Sequence, residues 1–107
     1  MSQFFEIVIF TASQGVYANA VINYLDPENK YVSARVFREH CIGFQNMYIK
    51  DLRVFKNRSK KKMLVVDNSC FSFCKNLNNG LPIIPYYDDK SDTELRSLQT
   101  FIMKYLY

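Results

Sequence analysis

Four residues of this 107-residue chain have the types and positions to handle a phosphate and a divalent cation: Thr11, Lys50, Asp67 and Asn68. Asp67 and Asn68 follow the apolar run Met63-Leu64-Val65-Val66, so a carboxylate and an amide stand together at the tip of a strand. Their oxygens are hard donors of the kind Mg²⁺ takes. Lys50 supplies a point charge for phosphate oxygens, and the Thr11 hydroxyl with its neighbouring backbone N–H groups supplies further donors. Positioning and charge neutralisation are what phosphoryl transfer requires. A plainer account fits each residue: Asp67-Asn68 as a turn, Lys50 as a surface residue on a hairpin, and Thr11-Ala12-Ser13 as a ligand-free junction between strand and helix. Spacing alone leaves both accounts open. His40 is the only histidine, so a histidine-based triad is implausible and a structural or surface role suits it better.

The elements that must position these groups begin with Ile7-Val8-Ile9-Phe10, an unbroken apolar run that predicts a strand buried on both faces, as in the middle of a parallel sheet. It stops at Thr11-Ala12-Ser13, where Ser13 is placed to cap a helix and the helix start offers free N–H groups and a positive dipole end. Val16, Tyr17, Ala20, Val21, Tyr24 and Leu25 predict one buried face of a helix over about 14–25, ended by Asp26-Pro27. Tyr31 to Arg38 alternates as a strand. After a turn at Gly43 to Asn46, Met47 to Lys50 predicts a second one, together a small antiparallel insertion over about 31–52. Met63 to Val66 repeats the buried-strand pattern, and Phe71 to Lys75 predicts a short helical turn. Leu81 to Tyr86, with two prolines, suits an edge strand. Ser91-Asp92-Thr93-Glu94 predicts a capping box for a last helix burying Leu95, Leu98, Ile102, Tyr105 and Leu106. Strands alternating with helices make this an α/β chain with a mostly parallel sheet, whose ligands sit at the carboxyl ends of the strands. Thr11 and Asp67-Asn68 fall there.

The length allows one domain. No stretch has the apolar length of a membrane span, and the first residues lack the pattern of a secretory signal. Cys41, Cys70 and Cys74 are an odd set without metal-ligand spacing, so free buried thiols in a reducing, intracellular compartment are expected. The net charge of +4 is concentrated in Lys56-Asn57-Arg58-Ser59-Lys60-Lys61-Lys62. That run reads as a solvated loop, with nuclear import or an acidic partner as the alternative.

Five segments occur in one order: Phe10-Thr11-Ala12-Ser13, Phe37-Arg38-Glu39-His40-Cys41, Tyr48-Ile49-Lys50-Asp51-Leu52, Asp67-Asn68-Ser69 and Ser91-Asp92-Thr93-Glu94-Leu95. The series resembles the small phosphatases that act on the carboxy-terminal domain of RNA polymerase II, within the haloacid dehalogenase superfamily. The resemblance implies a Rossmann-type sheet and a Mg²⁺-dependent protein serine/threonine phosphatase working through an aspartyl phosphate. It implies that Thr11, with the Ala12 N–H, binds phosphate, that Lys50 neutralises phosphoryl group and nucleophile, and that Arg38 lies near the phosphate. Asp67 and Asn68 would hold Mg²⁺ directly or through water. The partner implied is a phosphoserine or phosphothreonine protein, with no direct nucleic-acid contact, in nucleus or cytoplasm.

One departure bears on activity. The family's nucleophile and acid/base lie in an Asp-x-Asp-x-Thr motif on a strand upstream of Ile7, and no Asp-x-Asp occurs anywhere in this chain. Cys70 stands where a proline commonly follows Asp-Asn-Ser. The expectation is an N-terminally incomplete phosphatase-like domain over 1–107, inactive as it stands, the C-terminal portion of an enzyme. The alternative is an inactive phosphopeptide-binding or scaffolding module, like the receptor branch of the mitochondrial import machinery. A missing central strand would leave the strands ending at Thr11 and Asp67 with unpaired edges, able to pair with each other or to drive self-association.

Overall fold

A computed structural model describes residues 1–106. Strand β1 (Ile7–Phe10) runs parallel to β2 (Val32–Val36), and helix α1 (Gly15–Leu25) makes the crossover between them. Parallel neighbours cannot be joined by a tight turn, so the helix is the connection that the pairing demands. The register slips between the pairs Ile7–Val32 and Val8–Ala34, which leaves Ser33 as the extra residue of a bulge. The loop from α1 into β2 is held by Asp26. Its buried carboxylate accepts the N–H groups of Lys30, Tyr31 and Val32 at 2.9, 3.0 and 2.9 Å. These donors, Val32 first, hold the carboxyl below its usual range.

Residues 32–36 were expected in an antiparallel insertion and instead join the parallel ladder. The antiparallel element is smaller: β3 (Ile42–Phe44) pairs with β4 (Met47–Ile49). Gln45 and Asn46 turn the chain with φ of 48° and 64°, the left-handed angles that a two-residue hairpin loop needs. After the short 3₁₀ turns at Leu52–Val54 and Lys60–Lys62, β5 (Val65–Asp67) runs parallel to β6 (Gly80–Pro82). A kinked 3₁₀ segment, Cys70–Asn79, connects them. The strand expected at 81–86 is therefore shorter and begins one residue earlier. The chain closes with helix α2 (Glu94–Phe101), which widens into a π-helical turn at Ile102–Leu106.

The architecture is thus α/β, built of three two-stranded ladders rather than one sheet. Among the described residues no ladder joins β1 to β5. Side chains of one connecting segment link β1 to the region before β5. Phe55 packs edge-on against Phe10 with ring centroids 6.0 Å apart, and the Arg58 guanidinium pairs with Glu6 at 3.0 and 3.1 Å.

The core is small: Ala18, Ile22, Val36, Ile49, Leu52, Phe73 and Ile102 are its buried apolar members. Several expectations fail here for one reason, the lack of a covering neighbour. β1 is half-buried rather than enclosed. In α1 the buried stripe is Ala18 and Ile22, whereas Val16 and Tyr24 are 90% and 86% exposed. In the last helix only Ile102 is buried, and Leu95, Tyr105 and Leu106 face solvent. At β5 it is Asp67 that is buried, whereas Val66 and the preceding Leu64 are exposed. The three cysteines are free as expected, but Cys70 is exposed and Cys41 and Cys74 are only half-buried.

Two caps also differ from expectation. Gln14, not Ser13, precedes α1, and no side chain caps it. The Ser13 N–H donates instead to the Thr11 hydroxyl at 3.0 Å. At α2 the Asp92 carboxylate takes the Glu94 N–H at 2.8 Å, a role assigned to Ser91 by sequence.

Candidate functional site

Thr11 stands one residue past β1, its N–H donating to Val36 O at 2.9 Å, so the turn Thr11-Ala12-Ser13 is tied to the end of β2 as well. Arg38 opens the 3₁₀ turn Arg38–His40 directly after β2 and reaches back to this turn. Its backbone N–H donates to Ser13 O at 3.2 Å, and its Nε–H donates to Ala12 O at 2.6 Å. No acidic residue occupies the first turn of α1, so nothing there opposes an anion at the helix start. His40 is exposed, and its Nδ1 accepts the Phe37 N–H at 3.2 Å, a turn-closing role.

The second group lies at the end of β5. Asp67 is buried to 8% exposure, and its two oxygens have separate partners. Oδ1 accepts the Ser69 N–H at 3.0 Å, the usual self-closing of an Asp turn, and Oδ2 meets Lys50 Nζ at 2.5 Å. Lys50 follows β4 and is anchored through its own N–H to Ser72 O at 2.7 Å. The β3–β4 hairpin therefore delivers the lysine to the carboxylate. Asn68 is exposed beside them.

The predicted residues fall into two sets, Thr11, Ala12 and Arg38 in one and Lys50, Asp67 and Asn68 in the other. The hairpin spans them. The Arg38 guanidinium carbon sits 5.0 Å from the centre of the Tyr48 ring, two residues before Lys50. The Cys41 thiol between these elements is pushed up by burial, against the pull of Lys50 and Arg38. Among the described residues no three His, Cys, Asp or Glu side chains cluster as metal donors. Asp67 offers one hard oxygen site, shared with an ammonium, and an oxygen of this kind is a donor that Mg²⁺ takes.

Sequence reasoning passed over Tyr48 and Asp51. Strand alternation was the available signal: Tyr48 and Lys50 share one side of β4, and Ile49, on the other, is buried. Asp51 is buried as well. It starts the Leu52–Val54 turn by accepting the Arg53 N–H at 2.9 Å and grips the Arg53 guanidinium at 2.8 and 2.6 Å, which holds its carboxyl below the usual range.

A hydroxyl turn with an arginine, and a lysine paired to a carboxylate, each at the carboxyl end of a parallel strand, define an α/β protein of the anion-handling kind. Comparison with known proteins makes this specific. Residues 1–106 match the NLI interacting factor-like phosphatase family, and the chain belongs to it. It is 43% identical over 102 residues to CTD small phosphatase-like protein 3 of Caenorhabditis elegans, covering 95% of this chain and 35% of that one. It is 39% identical over 101 residues to the human carboxy-terminal domain RNA polymerase II polypeptide A small phosphatase 1, covering 94% and 38%. Nuclear envelope morphology protein 1 of Schizosaccharomyces pombe is 32% identical over 102 residues, covering 95% and 21%. The chain thus spans about a third of the length of the first of these relatives. Among its described residues no helix is long and apolar enough to cross a membrane.

Proposed function

We propose that these residues are the C-terminal portion of a Mg²⁺-dependent phosphatase acting on phosphoserine or phosphothreonine in proteins, in nucleus or cytoplasm. The observation that carries the reading is the Lys50–Asp67 pair at the end of β5, in a chain of this phosphatase family. An ammonium held against a carboxylate is a charge pair that can open in two directions. Lys50 turns to phosphoryl oxygens, and Asp67 becomes available to a cation. Thr11, the Ala12 N–H and Arg38 bind the phosphate from the other side. Asp67 would hold Mg²⁺ with Asn68, and the bound ion would supply charge neutralisation at the phosphoryl group. The nucleophile is a carboxylate outside these 107 residues. Through it the reaction divides into transfer of the phosphoryl group to the enzyme and hydrolysis of the acyl phosphate.

The experiment has two arms. The 107-residue chain with Mg²⁺ is expected not to turn over a small aryl phosphate; turnover by the purified chain overturns the assignment of roles. Joined to a segment bearing the family's two aspartates, it is expected to become active. There Lys50→Ala and Asp67→Asn each lower kcat by about a hundredfold or more, as loss of preorganised charge stabilisation does. Arg38→Ala acts mainly on KM. Near-normal turnover by Lys50→Ala shows that the phosphate is bound elsewhere.

A further inference from the structure

We infer that Tyr48 is a positioning residue for Arg38, its ring holding the guanidinium at the lip of the Thr11-Ala12-Ser13 turn with both terminal amines unspent for a phosphate. The inference rests on the phosphate reading of this site.

Two contacts fix the Arg38 guanidinium. Nε–H donates to Ala12 O at 2.6 Å, and the guanidinium lies over the Tyr48 ring at 5.0 Å. Among the described residues Nη1 and Nη2 make no hydrogen bond, so the fork that grips phosphate in two places is left open. A hydrogen bond through Nε alone leaves the group free to swing about that bond. A face-on ring removes the freedom, because the guanidinium plane is attracted to the negative face of the aromatic system.

The hairpin sets where the ring stands. Tyr48 stands opposite Gly43 in the β3–β4 ladder, and a Cβ built on Gly43 would meet nothing within 4 Å. Being glycine, the residue directly opposite lays no side chain on the ring. Ile49 on the reverse side is buried and pins the strand, while Tyr48 shares its side with Lys50. One short strand therefore sets both cations: Lys50 directly at Asp67, and Arg38 through the ring.

The test uses orthophosphate as probe, titrated calorimetrically into the chain and its variants, with urea midpoints recorded to establish that each is folded. Tyr48→Leu keeps apolar bulk without the ring face and is expected to weaken phosphate binding about two- to fivefold. Tyr48→Phe keeps the face and binds within about twofold of the parent. In an Arg38→Ala background, Tyr48→Leu is expected to cause no further loss, since the ring acts only through the arginine. Should Tyr48→Leu not fold, Tyr48→Trp replaces it. The stronger ring binds at least as well as the parent, and a loss there overturns the inference. Full-strength binding by Tyr48→Leu, or an undiminished effect of it without Arg38, overturns the inference and leaves the phosphate site standing. No binding by the unmodified chain overturns the site itself, and this inference with it.

Discussion

Cutting the Lys50–Asp67 pair on one side only is expected to destabilise the chain far more than cutting it on both. The charges are 2.5 Å apart, with side-chain exposures of 15% and 7%. At an effective dielectric of about 20 their attraction is about 6–7 kcal/mol. Desolvating the two ions costs several kcal/mol each and cancels most of that gain. The pair adds little net stability, but each ion depends on the other. Removing one partner of a buried pair costs about 3–5 kcal/mol. Asp67 keeps the Ser69 N–H and Lys50 keeps some water, so about 2–4 kcal/mol is expected for Lys50→Met or for Asp67→Asn. The double variant should lose clearly less than either single variant. The assay is urea unfolding of the four proteins, followed by far-ultraviolet circular dichroism because the chain has no tryptophan. Losses that add to within about 0.5 kcal/mol would show that the two groups do not act as a pair.

Gly80→Ala is expected to cost about 1–3 kcal/mol or more. A Cβ there falls 2.1 Å from two ring carbons of Phe73, a buried side chain that must move by about 1.3 Å to reach ordinary contact. A urea midpoint equal to the parent's would mean that the ring is not packed on β6. Acid should destabilise the chain through Asp26 and Asp51, both held below their usual range, by the Val32 N–H first and by Arg53 respectively. Because the unfolded chain takes up these protons first, their contribution is whole above about pH 4 and fades as pH falls further, through the folded values. Asp26→Asn should flatten that part of the stability curve, and an unchanged slope would refute the role given to the carboxylate. Self-association through the open strand edges is expected to appear as a concentration-dependent sedimentation coefficient at micromolar chain; one constant monomeric value would count against it.

Sequence alone made the local elements legible, together with the residues at their ends. The run Ile7–Phe10, the helix stopped at Asp26-Pro27, the turn at Asn46 and the Asp67 strand tip were each signalled by a few neighbouring residues. Partners were not legible, because pairing is decided by residues far apart in the chain. Val32–Val36 alternates well enough for either kind of ladder, and only the crossover through α1 lets it run parallel to β1. The bulge at Ser33 then shifts which side chains face inward: Ala34 is exposed, and Arg35 is tied to Asn19 and Asn29 at 2.8 and 3.0 Å. Likewise Ser13 and Thr11 are both able to cap, and the 3.0 Å bond from the Ser13 N–H to Thr11 Oγ1 was one of two local solutions.

Burial faces were misread for a physical reason that bears on function. Apolar periodicity marks a face that needs a cover, not the molecule that supplies it. A closed monomer of 12.7 kDa exposes about 6,200 Å², whereas this chain exposes 8336 Å². The excess, about 2,100 Å², is more than twice what one partner contributes to a standard interface of about 1,600 Å². It coincides with the outer face of α1, the outward side of the last helix and the neighbourhood of β5, where Val16, Tyr24, Leu95 and Leu64 are exposed. The strands that lead to Thr11 and Asp67 belong to separate ladders. The two halves of the site thus sit on elements that share few backbone bonds with each other. The β3–β4 hairpin is what relates them, Tyr48 reaching Arg38 and Lys50 reaching Asp67. Rigidity of the proposed site then depends on that hairpin more than on the small core, and substitutions at the Gln45-Asn46 turn are expected to weaken orthophosphate binding in calorimetry before they lower the urea midpoint.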